Sequence, residues 1–275
     1  MIHGLLDHIQ PCVSDDEDDQ PDLEFAFTGT KSLDCKTLVI CGPGPASAFA
    51  LQVFALQPLS WSFKPKDSCR AFPPPPKSPS FFQVSDADGV VVVVLDGPVA
   101  AEYATAWADE LLLSFEGAQV LFLDRILRAE WCCPSCPRPD EPYLAGLWTS
   151  CSGERIPALP APNIVQGLGA AVLACCEAKS TRCTVALTLQ DGAHLSEGCL
   201  KGYEALVPLL QELQVIQSWQ RPNYRQALQK ALLFWCNCRL FATVAWNCLD
   251  GSWKFDLSNC LAGQVVPPAA MSIYA

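Results

Sequence analysis

The chain has 275 residues, 50% of them hydrophobic and 17% charged, with a net charge of −11 and a pI near 4.6. A chain of this length can bury a full-sized core, and one large α/β domain accounts for it better than two. The acidic balance argues against binding to nucleic acid phosphates or to an anionic membrane surface, both of which need clustered Lys and Arg, so the expected partners are proteins.

No uninterrupted apolar run reaches the roughly 20 residues that a membrane span needs, and the N-terminus lacks the basic-then-apolar order of a signal peptide. The expectation is an intracellular chain, cytoplasmic and extending to the nucleus. Its 16 cysteines are then reduced thiols, mostly placed in apolar segments as small hydrophobes (Cys41, Cys175, Cys176, Cys183), and not a disulfide framework.

Residues 1–34 read as a disordered acidic tail. Asp15-Asp16-Glu17-Asp18-Asp19 is a block of like charge with Pro21 behind it, and too little apolar material is present to offset chain entropy. The domain proper, 35–233, opens with the apolar run Thr37-Leu38-Val39-Ile40-Cys41, then Gly42-Pro43-Gly44-Pro45, then the helical stretch from Ala46 to Phe54. That turn superficially suggests a phosphate cradle. It lacks the third glycine of a dinucleotide fingerprint and the Lys-Ser/Thr of a P-loop, and its prolines delete donors that a phosphate would want, so a plain β-α crossover is expected.

The proline run Phe72-Pro73-Pro74-Pro75-Pro76-Lys77-Ser78-Pro79 predicts an exposed polyproline-like spacer. Gly89 to Leu95, with five successive valines, predicts a strand buried on both faces. A helix over Ala100–Phe115 follows, with Tyr103, Trp107, Leu111 and Leu112 on one stripe, and then a strand over Gln119–Leu123. The alternation of strand and helix predicts α/β layering.

Between residues 131 and 160 the pattern gives way to a loop. Cys133 and Cys136 have the spacing of half a zinc site, but no second pair follows at suitable spacing, and Cys236 and Cys238 are distant and too close together. Beyond it, Asn163 is the expected N-cap of a helix with Ile164, Leu168, Ala171, Val172 and Cys175 on its buried face. A strand over Cys183–Leu189 and a helix over Gly198–Gln214, with Pro208 as a possible kink, complete the pattern.

The C-terminal stretch 265–275 reads as an extended docking tail. Pro267 and Pro268 bar helix ahead of Ile273-Tyr274-Ala275, which offer an apolar anchor, a flat ring with a polar tip and a free carboxylate.

Several of these stretches carry a resemblance. The run Pro162-Asn163-Ile164-Val165-Gln166-Gly167-Leu168-Gly169-Ala170-Ala171-Val172-Leu173, the strand after it, the helix with Tyr203-Glu204-Ala205-Leu206-Val207-Pro208-Leu209-Leu210, the early Leu38-Val39-Ile40-Cys41-Gly42 strand and the Ile-Tyr-X end are similar to the proteasome assembly chaperone family. The resemblance covers about residues 36–216 and the tail, and is most specific at 162–173 and at the tail.

It implies a non-catalytic chaperone with a three-layer αβα sandwich, phosphorylase-like but without a phosphorylase active site. It also implies a heterodimer with proteasome assembly chaperone 2, seated on the α-ring of the forming 20S core particle. Carried over, Ile273 is the hydrophobic residue, Tyr274 the tyrosine and Ala275 the carboxylate donor of a tail that enters a pocket between proteasome α-subunits. No cofactor or metal is implied. Residues 234–264, rich in aromatics and cysteines, depart from the family, and are either a genuine insertion or an artefact such as a translated intron.

An enzyme is the competing class. His3, His8 and His194 are the three histidines, two in the acidic start and one beside Asp191-Gly192, and they form no recognisable triad or metal cluster. Asp86 and Asp88 precede a strand and are expected to cap it. A general α/β interaction scaffold is the other alternative.

Overall fold

The computed structural model describes residues 24–29, 34–66, 76–132, 142–191, 195–226 and 228. Its first element, β1 (Phe25–Thr28), pairs antiparallel with β4 (Ser62–Pro65) in a two-stranded ribbon. Phe25 stacks on Phe63 at 5.3 Å, and Phe27 meets Trp61, Phe81 and Phe115 edge-on. This strand lies inside the stretch 1–34 that composition marks as a disordered tail. Two aromatic side chains on alternate residues give it a place on the core that the charge block does not have; that block, Asp15–Asp19, lies outside the described residues.

The main sheet has seven strands in the order β3 (Leu56–Pro58), β5 (Ser80–Val84), β6 (Val90–Val94), β2 (Thr37–Cys41), β7 (Gln119–Leu127), β9 (Cys183–Gln190), β8 (Leu144–Trp148). The four in the middle, β6, β2, β7 and β9, run parallel. β3, β5 and β8 pair antiparallel, which makes the sheet mixed. Among the described residues, five α-helices accompany the sheet: α1 (Pro45–Val53), α2 (Ala101–Ser114), α3 (Gly167–Ala178), α4 (Glu197–Gly202) and α5 (Val207–Glu212).

Alternate strand residues feed two separate cores, because successive side chains of a strand point to opposite faces. Leu38, Ile40, Val91, Val93, Phe122 and Val185 pack on one face with Trp107 and Leu111 of α2 and Val172 of α3. Val39, Val92, Leu121 and Ala186 pack on the other with Phe49 of α1, Leu200 of α4 and Leu210 of α5. Helices therefore cover both faces of the sheet, and the all-valine β6 is buried throughout.

Three local expectations change. The stretch 131–160 is not loop throughout, since Leu144–Trp148 forms the edge strand β8 against β9. The outer side of β8 is met by an irregular segment: Gly146 N donates to Pro157 O at 2.9 Å, and Leu159 N to Gly146 O at 2.8 Å. The helix expected from Asn163 starts at Gly167, with Gln166 as its N-cap, and Ile164 is exposed instead of facing the core. The helix expected over 198–214 is three pieces, α4, a 3-10 turn at Tyr203–Leu206, and α5. Pro208 falls in the first turn of α5, where a missing N–H costs no hydrogen bond, so it starts a helix and does not kink one.

Candidate functional site

In an open α/β sheet the carboxyl ends of the parallel strands are where a ligand crevice forms. Here that position is occupied by the Gly42-Pro43-Gly44-Pro45 turn after β2. Gly44 has φ 103°, a conformation that glycine adopts without strain, and a Cβ there would meet Arg125 Nη1 at 2.3 Å. Arg125 Nη1 donates to Pro43 O at 2.9 Å, and Ser47 Oγ donates to Gly42 O at 2.8 Å. Gly42 N donates to Leu123 O and Ser47 N to Gly42 O, so these donors serve the turn itself and not a phosphate.

Asp124, at this end of β7, lies against Gly42: a Cβ on Gly42 would sit 2.5 Å from Asp124 Oδ1. Burial raises its carboxyl to about 6; the Arg125 backbone N–H and guanidinium pull it down, and Glu130 pushes it up. Tyr203 OH donates to Asp124 O at 2.5 Å from the opposite face, and burial raises the phenol well above its usual range. The result is a polar seam that fastens the turn and the 3-10 turn to β7. Its chemistry is structural: each group named here is engaged by its neighbours. Among the described residues, no group of three or more His, Cys, Asp and Glu could hold a metal ion.

A second feature is the loop before α3. Asn163 Oδ1 accepts from Cys132 N at 2.7 Å, and Asn163 Nδ2 donates to Pro160 O at 2.8 Å, so one side chain ties two loops together. Ile164 follows directly and is 66% exposed; it and Leu113, 59% exposed, are the large hydrophobic residues left in solvent among the described residues.

The described chain ends on the face of α1 and α4. Trp219 lies over Phe49 with ring centroids 6.4 Å apart, and Tyr224 and Leu228 are buried. Glu204 Oε1 accepts from Arg221 Nε at 2.9 Å and from Tyr224 OH at 2.6 Å. Burial alone would raise the Glu204 carboxyl, but the Tyr224 and Arg221 hydrogen bonds outweigh it and hold the group below its usual range. Glu204 thus clamps Arg221 and Tyr224 onto the domain. No local spacing in the sequence announces it.

The expected docking residues Ile273, Tyr274 and Ala275 lie outside the described residues, as do the segment 234–264, Cys133, Cys136 and all three histidines. Asp86 and Asp88, the paired carboxylates before β6, are exposed, and Asp86 O accepts from Gln217 Nε2.

The fold and these sites define a layered α/β protein with a mixed seven-stranded sheet. No protein-family model and no curated protein sequence matches the chain. Solved structures do. The chain is similar to Pyrococcus furiosus PbaB, an archaeal proteasome activator, with a TM-score of 0.52 and 11% identity over 79% of this chain and 98% of that one. It is similar to Pyrococcus furiosus PbaA, an archaeal homolog of proteasome-assembly chaperone, with a TM-score of 0.51 and 12% identity over 78% and 95%. A Thermoplasma acidophilum protein of unknown function shares the fold as well, with a TM-score of 0.52 and 10% identity over 76% and 88%. At such identities the likeness is one of fold.

Proposed function

We propose that the chain is a proteasome assembly chaperone of the chaperone 1 kind, acting without catalysis on a phosphorylase-like scaffold. It pairs with proteasome assembly chaperone 2 and promotes assembly of the α-ring of the 20S core particle in the cytoplasm and nucleus. The observation that carries this reading is the fold shared, over nearly the whole length of each neighbour, with PbaA and PbaB. The motif at Pro162–Leu173 and the Ile-Tyr-X end support it independently of fold.

In this reading Ile273 fills an apolar pocket between two α-subunits, Tyr274 stacks at its rim, and the Ala275 carboxylate meets a lysine. Desolvation offsets much of the Coulomb attraction of such a pair. The tail alone would therefore bind weakly, and its effect comes from being tethered to a domain that makes a second contact. The acidic net charge of −11 favours a basic receiving surface.

The test is a pull-down from cell extract with the full chain and with an Ile273→Ser, Tyr274→Ala variant, reading proteasome α-subunits and a co-purifying second chaperone. Recovery of α-subunits with the full chain, falling at least about tenfold in the variant, is expected for loss of an anchored apolar contact. Absence of proteasome subunits from both samples would overturn the reading.

A further inference from the structure

α2 and α3 lie side by side on one face of the sheet and run in the same direction, since each leads into a strand of the parallel pair β7 and β9. Lys179 Nζ, at the end of α3, donates to Asp109 Oδ1 of α2 at 2.9 Å and ties the two helices together. The stripe Tyr103, Trp107, Leu111 of α2 is buried against the sheet, so the stripe Glu102, Ala106, Asp109, Leu113 faces away from it. On α3 the residues turned outward are small, with Ala170 half-buried and Ala174 exposed.

Ile164 and Leu113, the large hydrophobic residues left in solvent among the described residues, stand at opposite ends of this layer. Ile164 comes just before the start of α3, and Leu113 is next to last in α2. Both are held in place. Leu113 belongs to a helix whose other face is buried, and Ile164 follows Asn163, whose side chain is bonded to Cys132 N and Pro160 O.

Charge picks out the same face. Residues 156–176 contain no Asp, Glu, Lys or Arg, in a chain whose net charge is −11. Two copies of so acidic a chain repel one another on most approaches, and least where a face is neutral. Glu102 stands exposed at the end that carries Ile164, and Lys179 at the end that carries Leu113. At that second end Asp109 and Glu177 are already engaged, by Lys179 and by Ser150 N and Oγ, and the exposed Glu116 and Arg182 beyond the helices offset each other. Copies whose helices run antiparallel bring each Glu102 towards the other's Lys179, whereas parallel helices set like charge on like. Antiparallel helix dipoles favour the same arrangement.

We propose that the outer face of α2 and α3 is an interface between two copies of this chain, with the helices antiparallel and the Ile164 end of each copy over the Leu113 end of the other. Such an isologous contact closes on itself and stops at a dimer. The layer is about 20 Å long and two helices wide, on the order of 400 Å² per copy, at the low end for a specific interface. The dimer is therefore transient and forms at protein concentrations of about 0.1 mM. It needs only the chain itself, and so goes beyond the proteasome reading.

Sedimentation equilibrium of the full chain tests the pairing. The mass is expected to rise with concentration from 29.9 kDa towards twice that value. Ile164→Asp and Leu113→Asp, at exposed positions where the fold loses little, should each weaken the dimer at least about tenfold. Thr28→Asp, which adds the same charge at an exposed site on β1, should leave it unchanged. Photoreactive p-benzoylphenylalanine at position 164 is expected to join two copies, with the link mapped by mass spectrometry to 109–117 or 177–182. A mass of one copy at every concentration up to about 1 mM would overturn the pairing. So would a dimer that Ile164→Asp and Leu113→Asp leave intact, an equal weakening by Thr28→Asp, or links confined to other elements. A monomer that binds purified proteasome assembly chaperone 2, and loses that binding in Ile164→Asp, would also overturn it and give the face to the second chaperone.

Discussion

The centre of the sheet and its β8 edge satisfy the same backbone requirement by different means. β2 is flanked by β6 and β7 and buried on both faces, so its hydrogen bonds go to strands and its side chains to two cores. β8 has a strand on one side alone, and on the other the irregular segment Pro157–Leu159 bonded through Gly146. The centre therefore depends on the volume of its side chains, and the edge on the absence of one. In the first region a methyl group removed is harmful; in the second, a methyl group added.

The sharpest way to test that contrast is Leu121→Ala at the centre of β7. Leu121 is fully buried, and the substitution is expected to cost about 4 kcal/mol, through lost burial and the cavity left behind. Denaturant unfolding reads the loss, and a cost below about 1 kcal/mol would show that the layer collapses around the gap. At the edge, a Cβ on Gly146 would lie 2.0 Å from Val185 O and 2.5 Å from Ile156 Cδ1. Backbone has to move, so Gly146→Ala is expected to cost about 2–3 kcal/mol in the same measurement. An unchanged midpoint would mean that the edge yields freely and the contrast is false.

The smallest expected effect depends on pH and belongs to the end of the central strands. The folded-state value of Asp124 is raised to about 6 from an ordinary 3.8, so the folded chain holds this proton more tightly than the unfolded chain does. Its contribution favours folding below pH 4 and is lost as the pH rises through 6. Asp124→Asn should match the parent at acid pH and exceed it at neutral pH by about 1–2 kcal/mol, allowing for the partial exposure of the group. Parallel stability curves for the two proteins across that range would remove Asp124 as the source.

The same contrast explains what could be read from sequence. Val90–Val94 and Thr37–Cys41 are legible because burial on both faces demands a continuous apolar run, a purely local signal. β8, Leu-Ala-Gly-Leu-Trp among prolines, becomes a strand through its pairing with β9, some 40 residues away, and sequence has no local sign of that. Asn163 has the right chemistry for an N-cap and sits at the right spacing. Its side chain is taken by Cys132 N instead, and the helix waits for Gly167, whose φ of 60° turns the chain into it.

The seam at the carboxyl ends was hidden for the same reason, since Tyr203 reaches Asp124 O across 79 residues and Arg125 reaches Pro43 O across 82. Phe25–Thr28 was masked by the charge of the segment around it. The proposed docking role of Ile273, Tyr274 and Ala275 rests on the sequence alone, since these residues lie outside the described residues.

The segment that crosses β8 has a further consequence for how copies of this chain meet one another in a crowded cell. A free strand edge is a template on which another chain can add, the first step towards aggregation. Here the β8 side offers Gly146 already bonded on its outer flank, and the opposite edge, β3, is three residues long and ends in Pro58, which has no N–H to give. Both borders of a strongly apolar sheet are thereby blunted, and a domain rich in valine strands is kept from templating sheets made of its own copies.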